Sequence, residues 1–171
     1  MSERASYDAN VKERSGKPYL CGVDESGRGP LAGPICAVAI ILDDTAGGLP
    51  LKDSKKMSKS ARERMYPIIL EHAVSYSIQF ISPEEIDEIG IGQANADVFR
   101  MAIASACRDL DAVALVDVNP LWFGKVMNKI PTVFSVGADD KSLSVAAASI
   151  IAKVTRDRLM AEMELDYPGY G

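Results

Sequence analysis

The stretch "LCGVDESGRGPLAGP", residues 20–34, decides how this chain is read. Leu20 to Val23 form a short apolar run of the kind that enters a core as a strand, yet the run ends in two adjacent carboxylates, Asp24 and Glu25. A turn of Gly27, Arg28 and Gly29 follows at once. Glycines let a backbone approach a ligand closely, and an arginine among exposed amides suits phosphates and sugar hydroxyls. Two charges at the mouth of a strand, with such a turn behind them, point to a site rather than to packing.

Working outward, two more strand ends carry acids. "AVALVDV" (112–118) reads as a buried strand with Asp117 at its end, and "IPTVFSV" (130–136) as a fourth core strand followed by Gly137-Ala138-Asp139-Asp140. "GPICAVAIILDD" (33–44) is apolar and β-branched enough for a buried central strand, and "VSYSIQFI" (74–81) alternates as a half-buried strand does. Ser60 and Glu63 resemble a capping box, with Ser58 as the other candidate cap, for a helix that runs to about His72 and is kinked at Pro67. Ser82-Pro83-Glu84-Glu85 starts another helix. A longer one is expected from about Ile91 to Leu110, with Ala94, Val98, Met101 and Ala102 on one face and Ser105 next in line. "SLSVAAASIIAKVTRDRLMAEMEL" (142–165) is an alanine-rich helix whose Lys153, Arg156 and Arg158 read as exposed face. Residues 1–17 read as a flexible tail. The order of elements gives an α/β class, a mixed sheet with helices on its faces, and 171 residues suit one domain.

Composition removes several functions. No apolar run approaches the ~20 residues of a membrane span, and the polar N-terminus has no signal-peptide core, so a cytoplasmic location is expected. Cys21, Cys36 and Cys107 form no CxxC pair, and the single His72 excludes any mechanism that needs two histidines. A net charge of −5 argues against coating nucleic acid by bulk electrostatics, while leaving room for a local basic rim. The glycine turn lacks the GxxxxGK[ST] pattern of a nucleotide cradle.

Clustered carboxylates repel one another, so a cluster persists only when protonated, paired with bases or neutralised by cations. Oxygen ligands without His or Cys favour Mg²⁺ or Mn²⁺ over zinc. Two such ions ~3.5–4 Å apart serve many nucleases and polymerases. A lone strand-end Asp is structural by default, because its side chain bonds the nearby backbone; Asp43 and Asp44, beside a Gly-rich loop, are read that way. Acids at three buried strand ends are harder to dismiss, and Asp139 and Asp140 both remain candidates at the third.

"GVDESGRGPLAGP" resembles the signature of the ribonuclease HII family (type 2 ribonuclease H), and "LKDSKKMS" (51–58), "LVD" (115–117) and "SLSVAAASIIAKVTRDR" (142–158) match in the same order. The similarity spans residues 18–171 and implies an RNase H-like fold, a five-stranded mixed sheet flanked by helices. It implies an endoribonuclease that cuts the RNA of RNA–DNA hybrids and incises 5′ to single ribonucleotides in duplex DNA, leaving 3′-hydroxyl and 5′-phosphate ends. Its metal-binding carboxylates fall on Asp24, Glu25, Asp117 and Asp139, with two Mg²⁺ or Mn²⁺ ions during catalysis. Asp139 is preferred to Asp140 by its ten-residue spacing to Ser149. Gly27, Arg28 and Gly29 match the loop that recognises the ribose 2′-hydroxyl. Arg28 favours this family over the related ribonuclease HIII type, and Lys55 matches a lysine near the scissile phosphate. The resemblance also implies a monomer working in ribonucleotide excision repair.

The match has departures. Val118 stands where the family commonly has glycine, and Ala138, not glycine, precedes Asp139; added carbon atoms at these places are expected to crowd or redirect the backbone near the acids. Family members also continue beyond "DYPGYG" through a basic, histidine-containing segment with a sugar-packing tyrosine and a closing helix, and Tyr170 is not that tyrosine by position. Residues 18–171 are therefore expected to be a C-terminally truncated catalytic domain. The alternative reading is an inactive or weakly active hybrid-binding fragment.

Overall fold

The computed structural model describes residues 2–51, 54–118 and 130–169. Its centre is β2 (Ile35–Leu42), whose two faces are both covered. Ile35, Ala37, Ala39 and Ile41 point into one core, and Cys36, Val38 and Ile40 into another. That double burial is why the strand reads as an unbroken apolar run. On one side lies β3 (Ala73–Ile81), antiparallel to β2 and at the sheet edge. On the other lies β1 (Tyr19–Ser26), also antiparallel to β2. Beyond it β4 (Ala112–Val116) and the short β5 (Thr132–Phe134) run parallel to β1, giving the order β3-β2-β1-β4-β5. This is the five-stranded mixed sheet of an RNase H-like fold.

Helices cover both faces. α4 (Ile91–Ala106) buries Ala94, Val98, Phe99, Ala102 and Ile103 against one. α6 (Leu143–Asp166) lays Ala146, Ala147, Ala148, Ile150 and Ile151 on the other. Its small side chains permit close approach, and the tightest point is Gly22 of β1. A Cβ there would sit 2.2 Å from the Ser144 carbonyl carbon and 2.5 Å from the Val145 nitrogen. Helix backbone rests directly on strand backbone, so only glycine fits. α2 (Lys59–Glu71) and α3 (Pro83–Ile89) complete the periphery, and α5 (Ala138–Lys141) is a single turn before α6. α2 is capped by Ser58 rather than Ser60 and runs as one helix through Pro67, while Ser82 and Glu85 form a complete capping box on α3. Among the described residues no helix is long and apolar enough to cross a membrane.

Several expectations are corrected. Residues 3–15, read as part of a flexible tail, form α1 (Glu3–Ser15), closed by Ser2 at one end and left-handed Gly16 at the other. α1 docks through Asp8, which is 7% exposed and accepts hydrogen bonds from the Ser144 amide (2.9 Å) and hydroxyl (2.8 Å). The fourth strand is three residues long and half-exposed, not a core strand, because β5 closes the sheet edge. α4 ends at Ala106, and Met101 is 44% exposed, off the buried stripe. Lys52, Asp53 and Tyr170 lie outside the described residues.

Candidate active site

β1 and β4 share a ladder that ends at Val23 opposite Val116. Beyond it β1 continues with β2 alone, pairing Asp24 with Val38 and Glu25 with Ala37. The chain leaves β4 at Asp117, whose amide still donates to the Val23 carbonyl at 3.2 Å. Asp24 and Asp117 are thus the first residues past the shared ladder on neighbouring parallel strands, at the crevice where α/β sheets bind ligands. Asp24 and Glu25 lie within the strand, not after it, so their side chains leave on opposite faces. Both still line one cavity of about 370 Å³ together with Asp117, Gly27, Arg28, Gly29, Ser54, Lys55, Ser149 and Lys153.

The electrostatics of the cavity are those of crowded acids. Burial, the Glu25 charge and the Asp117 charge push Asp24 well above the usual carboxylate range, opposed by hydrogen bonds from Ser149 and from the Glu25 amide, which donates at 2.8 Å. Glu25 is pushed up to about 7, first by burial and further by Asp117, with Arg28 and Lys55 opposing. Its Oε2 is buried and has no hydrogen-bond partner among the described residues. Among those residues no three His, Cys, Asp or Glu side chains form a ready-made metal cage.

Asp139 is not on the cavity wall but is tied to it. The Asp117 carboxylate accepts from the Gly137 amide at 2.9 Å and the Asp139 amide at 3.1 Å, fastening the start of α5 beside β4. The Asp139 side chain is buried, with Lys55 Nζ 3.8 Å from it. Asp140 turns outward to Lys56 (3.1 Å) and Arg4 (3.7 Å). Val118 and Ala138 do not crowd the acids: Val118 packs in the α4-side core, and Ala138 packs with Leu20, Leu115 and Val145. Gly137, one place before Ala138, takes the left-handed turn that opens α5.

The turn bearing Lys55 is anchored by Ser54, whose hydroxyl meets that of Ser149 at 2.8 Å, and by Arg62, which donates to the Ser54 carbonyl at 2.9 Å. Lys153 and Arg158 are partly exposed as expected, paired with Asp157 and Glu63. Arg156 is corrected: it is 5% exposed and sits beneath the glycine turn, donating to the carbonyls of Pro34 and Ala32. A sequence signal for it existed, since Arg156 follows Ser149 by seven positions, two helical turns on the same face. A larger cavity, about 440 Å³, lies beside α1, but its acids Asp8, Asp43 and Asp44 are engaged by Ser144, by the Thr45 amide and by Lys12.

Comparison with known proteins points the same way. Residues 21–171 match the family model for ribonuclease HII. A ribonuclease HII of Bacillus mycoides is 42% identical over 173 residues, covering 99% of this chain, and one of Shouchella clausii is 46% identical over 165 residues, covering 96%. The chain spans 63% and 61% of the length of those two relatives. Among solved structures, the ribonuclease H2 of Pyrococcus horikoshii superposes with a TM-score of 0.76 at 31% identity, over 90% of this chain and 79% of that one. A ribonuclease HIII structure gives the same TM-score at 20% identity, a likeness of fold alone. With its sheet order, its acidic crevice and these matches agreeing over nearly all its length, the chain belongs to the ribonuclease HII family.

Proposed function

We propose that this chain is a metal-dependent endoribonuclease that cuts the RNA strand of RNA–DNA hybrids and incises 5′ to single ribonucleotides in duplex DNA, leaving 3′-hydroxyl and 5′-phosphate ends. The observation that carries the proposal is the convergence of Asp24, Glu25 and Asp117 on one cavity with the Gly27-Arg28-Gly29 turn, in a member of this family. The residues fit hard divalent cations. Every donor is a carboxylate oxygen, Glu25 Oε2 has no hydrogen-bond partner among the described residues, and burial, with neighbouring carboxylate charge added, raises Asp24 and Glu25, so that a cation would replace protons as the neutralising charge.

Asp24, Glu25, Asp117 and Asp139 would hold two Mg²⁺ or Mn²⁺ ions, which supply the Lewis acidity that activates water and stabilises the departing 3′ oxygen. Asp117 contributes twice in this reading, since its carboxylate also holds the amides that place Asp139. Gly27, Arg28 and Gly29 present amides and a guanidinium to the ribose, so selection comes from the sugar and not from base identity. Among the described residues nothing lies within 4 Å of a Cβ built on Gly29, which leaves room at that point of the turn for a sugar. Lys55, whose side chain is 83% exposed, would meet a phosphate oxygen near the scissile bond in this reading.

The test is incision of a duplex containing one ribonucleotide, with Mg²⁺ or Mn²⁺ present and then chelated. Cutting that requires the divalent ion and stops in EDTA is expected. Equal cutting in EDTA removes the metal from the mechanism, and binding without cutting under excess Mn²⁺ makes the chain a hybrid-binding domain.

A further inference from the structure

Arg156 is a buried cation spent on main-chain carbonyls. Its Nε donates to the Pro34 carbonyl and its Nη2 to the Ala32 carbonyl, each at 2.9 Å. Burying a guanidinium is costly unless its position brings something an apolar side chain would not. Burial lowers its pKa from the usual arginine value, with the Asp157 charge opposing.

What lies above Arg156 supplies the reason. The loop from Gly27 to Pro34 has no regular structure, and Gly29, Pro30, Leu31 and Ala32 are exposed, so its apolar anchorage is confined to its far end, where Pro34 is buried and Gly33 lies against Met160. The guanidinium bonds its two carbonyls and lies close under Gly27 and Gly33, where a Cβ would come within 2.4 Å of Nε and 3.2 Å of Nη2. Gly27 has φ +106°, so its backbone shape and the closeness of the arginine both demand glycine. Arg156 therefore underlies the base of the turn, two helical turns along α6 from Ser149, which touches Asp24.

We infer that Arg156 is a positioning residue for ribose selection: it fixes the Gly27–Gly29 turn at a set height above the carboxylates by clamping the loop to α6. The inference rests on the proposed role of that turn in reading ribose. Lysine in its place offers a point charge without the planar fork that reaches two carbonyls at once.

The test compares wild-type chain with Arg156→Lys and Arg156→Met by hydrogen exchange, by Mn²⁺ binding followed calorimetrically, and by incision kinetics on single-ribonucleotide duplex. Expected in Arg156→Lys are faster exchange at amides 27–33 with β2 and α4 unchanged, KM raised about tenfold, kcat and Mn²⁺ affinity within about twofold, and a larger KM change in Arg156→Met. A purely structural role predicts instead that exchange quickens across the sheet and that kcat and Mn²⁺ affinity fall together. The inference is overturned by that pattern, by loop amides as protected as in wild type, or by a loosened loop with unchanged KM. If Arg156→Met does not fold, Arg156→Lys alone decides. Wild-type chain that cuts ribonucleotide-free DNA equally well sinks the functional reading, and this is visible before any substitution is made.

Discussion

Two acids touch α6, Asp8 buried and Asp24 half-buried, and their surroundings differ in kind. Asp8, at the N-terminal end of the helix, is held by the Ser144 amide and hydroxyl, with the Ser142 hydroxyl and Leu143 amide also nearby as donors. Asp24, farther along, receives bonds from Ser149 and the Glu25 amide but faces the charges of Glu25 and Asp117. Burial raises the pKa of both. Asp8 receives both Ser144 donors on Oδ2 at the positive end of a helix dipole, while its Oδ1 has no partner among the described residues, so it serves as an inter-helix cap through one oxygen. Asp24 faces the like charges of Glu25 and Asp117, an arrangement that the proposed cations would relieve. Burial alone does not mark a functional acid; the sign of its neighbours does.

The contrast breaks most sharply at Asp24. Asp24→Asn is expected to lower incision about 10³-fold or more while the melting temperature without divalent ions holds or rises, because one repelling charge is gone. Loss of activity accompanied by unfolding would return Asp24 to the structural class. At Asp8 the expectation reverses. Asp8→Ala leaves buried amides uncapped and costs roughly 1–3 kcal/mol in urea unfolding, with incision at 25 °C within about threefold of wild type. A tenfold loss of incision without loss of stability would move Asp8 into the site.

The smallest effect sharpens the comparison through pH. The Glu25 carboxyl stands at about 7 in the folded chain against an ordinary 4.5. Below 4.5 both states are protonated and burial imposes no ionic penalty. Between 4.5 and 7 the unfolded chain releases its proton first, so the penalty grows, and above 7 it is complete. Glu25→Gln is therefore expected to stabilise the metal-free chain by roughly 1–2 kcal/mol at pH 8 and by almost nothing at pH 4.5. Parallel denaturation curves at the two pH values check this, and a pH-independent difference would show that packing, not ionisation, governs residue 25.

The legible parts of the molecule were those where one local pattern suffices. β2 announced itself by an unbroken apolar run, α6 by its alanines, and the crevice of the candidate site by acids at or near the ends of strand runs, although Asp24 and Glu25 lie inside β1. The rest depended on partners distant in sequence. α1 is held by its caps Ser2 and Gly16, by Ala5, Tyr7 and Val11 packed on the core and by the reach of Asp8 to Ser144, of which only the caps are local. Residues 130–136 have a core composition but meet one neighbour strand, so the edge position is set by topology. Arg156 sits among polar residues that do face water, and only its helical phase relative to Ser149 sets it apart. Met101 was assigned to the buried stripe for its hydrophobicity, whereas that stripe passes through Phe99 and Ile103.

The bare backbone at Gly22 has one more effect. From Gly22 to Asp24 the strand advances roughly 6.6 Å, and from Ser144 to Ser149 the helix climbs roughly 7.5 Å. Strand and helix march in step from their point of touching, so Asp24 arrives where Ser149 does and Gly27 where Arg156 does. A side chain at position 22 would lift the helix at its origin and spoil both later meetings, so the residue with nothing to offer chemically is the datum from which the chemistry is measured.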